Sequence, residues 1–198
     1  LLDYGKVSGG LLVRQNFTDA DIALPKSVAL ARRLEALAPS CVVTATEGSV
    51  SERLEEVLRN DRALVLDATV SRAMARHLDA LSHCADRLAL VAQVATDVRT
   101  GSLGMVVVSS SGAPGPLTID TQARQTVLAD GRLEPYRTFW EPRDEDELIP
   151  ALGCSIPTFH GSSADMAAVA AEQANLIARH LGSGVSGTHL FALPHTGI

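Results

Sequence analysis

Leu1–Lys26, LLDYGKVSGGLLVRQNFTDADIALPK, is the stretch whose reading decides the fold. It opens on apolar residues and reaches an acid, Asp3. A glycine-bearing loop with Arg14 and Gln15 follows, and Lys26 stands behind Pro25 at the mouth of a helical pattern. An acid at the carboxyl end of a strand is placed to hydrogen-bond a ribose. An arginine and a lysine a short loop away are placed to grip phosphates. The same residues also fit a plainer arrangement, a strand, a polar loop and a helix with solvated charges.

Outward from Lys26 the chain alternates. Lys26–Ala38 carries Val28, Leu30, Ala31, Leu34 and Leu37 at helical spacing, and Pro39 stops it. Pro25 suits a helix start, where its missing N–H costs nothing. Cys41–Ala45 is a short β-branched run that predicts a strand, Ser51–Asn60 a second helix, and Ala63–Asp67 a strand buried on both faces. Ser71–Leu81 predicts a third helix. Leu88–Val94 and Met105–Ser109 predict strands that pair as a hairpin around Arg99-Thr100-Gly101. Pro116–Ala129 reads as a helix despite its threonines, and Gly131–Gly153 as mixed structure with a solvated acid run, Asp144–Glu147. Ser163–Leu181 is the strongest helical pattern, with Asp165 in its first turn and Gly182 at its end. Thr188–Leu193 closes the chain as a strand. Alternation of this kind predicts an α/β fold with a largely parallel sheet and antiparallel strands added late.

The 198 residues suffice for one domain with a substantial core. Hydrophobic residues make up 46% and the net charge is −6, so no basic face for nucleic acid is indicated. No apolar run approaches the roughly 18–20 residues that span a bilayer. No basic segment and cleavage site mark a signal peptide. Cys41, Cys84 and Cys154 form neither a C-x-x-C pair nor a disulfide framework, which points to a reducing, cytoplasmic setting. Cys41 and Cys84 read as core or inert thiols. Without a secretory signal the sequon at Asn16 reads as chance.

The opening stretch resembles the ThiF/MoeB/HesA family, bacterial relatives of ubiquitin-activating enzymes. That family reads roughly D-x-D-x-V-x-x-x-N-L-x-R-Q, with K at the start of the next helix. Asp3, Val7, Leu12, Arg14, Gln15 and Lys26 match it. Gly5 stands where the family has a second acid, and Leu11 where it has asparagine. Leu64–Val70, LVLDATV, resembles the family strand that ends in D-x-T-D. Asp67 and Thr69 match, and Val70 replaces the acid that helps hold Mg²⁺. The resemblance implies a Rossmann-like domain over 1–198 whose first strand–helix unit, with its glycine-rich phosphate loop, lies upstream.

It further implies ATP-dependent adenylation of the C-terminal carboxylate of a ubiquitin-like or sulfur-carrier protein. Asp3 would bind the ribose, Arg14 and Lys26 would offset charge on the triphosphate, and Gln15 would support the loop. Asp67 would lie by the nucleotide and Mg²⁺, with the metal in question because of Val70. Cys154, with His160 as a nearby base, would accept the transferred group. A homodimer is the expected assembly.

Each assignment has a plainer counterpart. Asp67 also suits a strand-end acid capping the next helix, and Cys154 a small buried thiol. Gly182–Gly187 spells G-x-G-x-x-G, but it follows a helix and precedes a strand, the wrong setting for a phosphate cradle. His77, His83, His180, His189 and His195 show no ligand spacing, and no structural zinc is indicated. Two rival readings remain. Gly5, Leu11 and Val70 suit a non-catalytic relative that binds a partner or completes a dimer. A nicotinamide-dependent oxidoreductase would explain Asp3 but leave Arg14, Gln15 and Lys26 without a role.

Overall fold

The computed structural model describes residues 1, 3, 5–12, 15–46, 51–69, 71–83, 86–97, 101–140 and 163–193. They divide into two compact units, the first reaching from Leu1 to Glu52 and the second running from Arg53 onward.

The first unit is built on helix α1, Lys26–Leu37, and the chain that leads into it. Ala29 and Ala31 of the helix are buried, as is Val7 ahead of it. Gly5–Val7 runs antiparallel to Ala23–Lys26. Lys26 N–H donates to Gly5 O, Val7 N–H to Leu24 O and Ala23 N–H to Val7 O, each at 2.9 Å. Two short 3₁₀ turns, Gly9–Leu11 and Asp19–Asp21, fold the intervening chain back. The second is fixed by Asp21, whose carboxylate accepts from both the N–H and the hydroxyl of Thr18. Those hydrogen bonds hold the Asp21 carboxyl below its usual pKa.

Pro25 stands at the N-cap of α1, in keeping with a helix that starts at Lys26, and bridges to Lys6 in extended conformation. Three expectations for this unit need correction. Neither Leu1 nor Asp3 lies in a regular strand, and Cys41–Ala45 forms none. The two segments meet in one rung, Leu1 N to Thr44 O at 2.8 Å and Thr46 N–H to Leu1 O at 2.9 Å. Cys41 lies outside any core, exposed in a bend.

The second unit carries the sheet. Helix α2, Ser51–Leu58, buries Leu54 and Leu58 and leads to strand β1, Leu64–Asp67. Helix α3, Arg72–Ser82, returns the chain to strand β2, Leu90–Thr96, which pairs with β1 in parallel. A parallel pair requires such a crossover. Strand β3, Leu103–Ser109, forms the expected hairpin with β2, and Gly101 supplies the positive φ of 64° that its turn uses. Helix α4, Pro116–Ala129, a 3₁₀ segment, Gly131–Phe139, helix α5, Ser163–His180, and strand β4, Gly187–Ala192, complete it. β4 pairs antiparallel with β3, so the strand order is β1-β2-β3-β4. The fold is α/β, as expected. Of the three described pairings only one is parallel, so the sheet is mixed rather than largely parallel.

Helices cover both faces. Val106 and Val108 of β3 and Ala92 of β2 pack with Leu176 and Ile177 of α5. Thr188 and Leu190, which alternate with His189 along β4, face Ile119 and Val127 of α4 across a hollow of about 340 Å³. Two devices join layers at polar points. Gln173 of α5, buried, donates to the carbonyls of Ala95 and Met105. Asp79 of α3 accepts from the N–H and hydroxyl of Thr118 and so caps α4 from a neighbouring helix.

Candidate functional site

The antiparallel pairing of Gly5–Val7 with Ala23–Lys26 brings two of the expected site residues together. Asp3 Oδ1 accepts the Gly5 N–H at 2.6 Å. A Cβ added at Gly5 would stand 2.9 Å from that oxygen, 3.2 Å from Lys26 Cε and 3.3 Å from Lys26 Cδ. The Asp3 carboxylate and the outer part of the Lys26 side chain therefore flank the same point in space. Gly5 is where the two sides meet. Gly5, having no side chain, leaves room for this approach.

Lys26 is 9% exposed, so its stem is buried. Among the described residues its ammonium forms no ion pair. It sits at the first position of α1, where the helix dipole and the unpaired N–H groups add positive potential to its own charge. Such a place favours an anion. Two more polar atoms of this unit are buried without a partner among the described residues, Gln15 Oε1 and Ser27 Oγ. Ser27, beside Lys26 and 2% exposed, was not singled out by sequence. A serine in the first turn of a helix is too common a feature to mark a site.

Arg14, Cys154, His160 and Val70 lie outside the described residues. Asp67, at the end of β1, is buried and hydrogen-bonded. Its Oδ1 accepts the Thr69 N–H at 2.9 Å, and its Oδ2 accepts from Gln93 Nε2 at 3.0 Å, its register partner on β2. The helix that follows is capped by Ser71, whose hydroxyl accepts the Met74 N–H at 3.2 Å. Asp67 thus pins the strand end and the turn after it, close to the plainer role weighed for it. Each oxygen accepts one hydrogen bond, so any ligand at Asp67 would share the carboxylate with Thr69 and Gln93. Among the described residues no group of three His, Cys, Asp or Glu side chains could hold a metal ion.

The glycine motif at Gly182–Gly187 is a helix-to-strand turn, as its setting predicts. It links α5 to β4, and Gly182 and Gly184 adopt φ of 77° and 67°. Neither the hollow between α4 and β4 nor a smaller one of about 90 Å³ beside Arg87 is lined by Asp3, Gln15, Lys26 or Asp67. No described helix is long and apolar enough to cross a membrane.

Arg87 gave no signal in sequence. It is 2% exposed, and its guanidinium donates to the carbonyls of Ala89, Ser109, Ser110 and Ala113 and to Ser109 Oγ. Burial lowers its pKa. It gathers carbonyls at the end of β3 and in the following turn, a structural clamp. Neither a protein-family model nor a curated protein sequence matches the chain.

Proposed function

We propose that the chain is a Rossmann-like adenylating domain of the ThiF/MoeB/HesA type. It would bind ATP and activate the C-terminal carboxylate of a ubiquitin-like or sulfur-carrier protein. The observation that carries this reading is the meeting of Asp3 and Lys26 around Gly5, at the N-terminus of α1. The second Asp3 oxygen takes no hydrogen bond among the described residues and can accept from a ribose hydroxyl. Lys26 can neutralise triphosphate charge. Gln15 Oε1, buried without a partner among the described residues, is a further polar group for a ligand.

The reaction proceeds by attack of a carboxylate on the α-phosphorus, with pyrophosphate leaving. The protein's part is positioning and charge stabilisation. Lys26, joined by Arg14, meets negative charge as it moves onto the leaving group. Cys154 would accept the activated group afterwards. Dimerisation and a cytoplasmic setting belong to the same reading. Labelled pyrophosphate exchange into ATP, with candidate carrier proteins supplied, tests it. Lys26→Ala should lower exchange about tenfold or more, the worth of a charge-assisted hydrogen bond. Unchanged exchange would remove Lys26 from the reaction.

One observation favours a second reading. Asp67 already accepts from Thr69 and Gln93, and no metal group stands among the described residues. A chain that binds nucleotide without turning it over, and serves as a binding or dimerisation module, fits that arrangement. Nucleotide binding without exchange would identify it.

A further inference from the structure

We propose that His180 and His189 form an acid-sensitive latch that fastens the end of α5 to strand β4. His180 is the last residue of α5 and is 8% exposed, and His189 lies in the middle of β4 opposite Val106. Their Nε2 atoms are 2.6 Å apart, and the rings meet edge to face at 69°. The connection between them folds back on the helix. Ser183 N–H and Oγ both donate to His180 O, and Ser186 Oγ accepts the Ser110 N–H.

The hydrogen bonds fix the tautomers. His180 Nδ1 lies 2.9 Å from Val185 O, which also accepts from Ser110 Oγ. A carbonyl cannot donate, so His180 Nδ1 carries a proton and its Nε2 is bare in the neutral ring. At 2.6 Å the facing His189 Nε2 must then donate. One proton lies between the two Nε2 atoms, and His189 Nδ1 is bare. A first added proton can go to His189 Nδ1 without breaking the contact. A second must go to His180 Nε2, which would set two N–H groups head to head.

The surroundings oppose even the first proton. Burial lowers the His189 pKa, and the charges of His180 and of Arg179 add to the effect. Arg179 is the charged group that α5 brings to the pair. β3 contributes Val106 and Val108, and the connection of Leu181, Gly182, Ser183, Gly184, Val185 and Ser186 contributes nothing that titrates. In the unfolded chain both histidines take protons near their ordinary value of about 6.5. Folded His189 holds up to one proton fewer than unfolded His189 between its depressed value and about pH 6.5. Its contribution is therefore present above about pH 6.5 and is lost as pH falls through the depressed folded value.

The test compares the full chain with His189→Gln, whose amide can still donate to His180 but does not titrate. Urea unfolding is followed from pH 8 to pH 5. Below about pH 6.5 the wild-type folded-to-unfolded ratio should fall more steeply than the variant's, by up to about tenfold per pH unit. Parallel pH profiles would overturn the proposal. Imidazole ¹⁵N shifts of the wild-type chain at pH 8 give a reading independent of the variant's folding. They should show a proton on Nδ1 of His180 and on Nε2 of His189. The opposite tautomer at His180 would contradict the latch. Stabilisation by added Zn²⁺ that His189→Gln abolishes would overturn it in favour of a metal pair.

Discussion

A methyl group at Gly5 would press on Asp3 Oδ1 at 2.9 Å and Lys26 Cε at 3.2 Å. The lysine stem can give, but only by moving its ammonium. Gly5→Ala should therefore cost about 1 kcal/mol of strain, felt mainly as a roughly fivefold loss of nucleotide affinity. Isothermal titration with ATP measures it, and an unchanged affinity would separate Gly5 from the site. Arg87→Lys probes a different kind of residue. An ammonium cannot reproduce the five hydrogen bonds of the fork and leaves buried carbonyls unpaired. Urea unfolding should show a loss of about 2–4 kcal/mol. A change under about 0.5 kcal/mol would refute the clamp. Asp3 and Lys26 were legible because their residue types and spacing form a pattern. Arg87 was not, since a burial created by distant carbonyls leaves no trace in the residues beside it. Gly5 was visible only as a missing acid, and its use as a contact point needed the fold.

Among the elements, α4 depends on a cap it does not itself supply. Asp79 accepts two hydrogen bonds from Thr118, and Gly115 lets the chain pass so close that an added Cβ would lie 2.2 Å from Asp79 Oδ1. Asp79→Ala should lower stability by about 1 kcal/mol, read from urea unfolding. No loss would mean that the cap is inert. The helices were legible from apolar spacing and their stops. The hairpin was legible from two β-branched runs around a glycine. The strands expected at Leu1–Asp3 and Cys41–Ala45 were not found among the described residues, because three to five apolar residues specify burial but not a partner. An antiparallel addition late in the chain was expected, and β4 is one, but its partner β3 was not legible. Sequence alternation does not choose a neighbour. The His180–His189 contact escaped a search by spacing because it is made across a turn.

At the scale of the whole molecule the two units carry different chemistry. The second is a layered α/β body held by β2, β3 and α5 around Val106, Val108 and Ile177. The first carries Asp3, Gln15, Ser27 and Lys26, polar groups held on a short antiparallel pairing and a helix start. The core of the second unit contains none of these residues, so a substitution at Lys26 should spare that unit's folding. Calorimetric titration of ATP into the wild-type chain and into Lys26→Ala is the most direct measurement. Binding by the wild-type chain, weakened about tenfold or more in a variant that unfolds at the same urea concentration, is the expected result. Equal affinity in both proteins, or no binding by the wild-type chain, would contradict a nucleotide site at Asp3, Gly5 and Lys26.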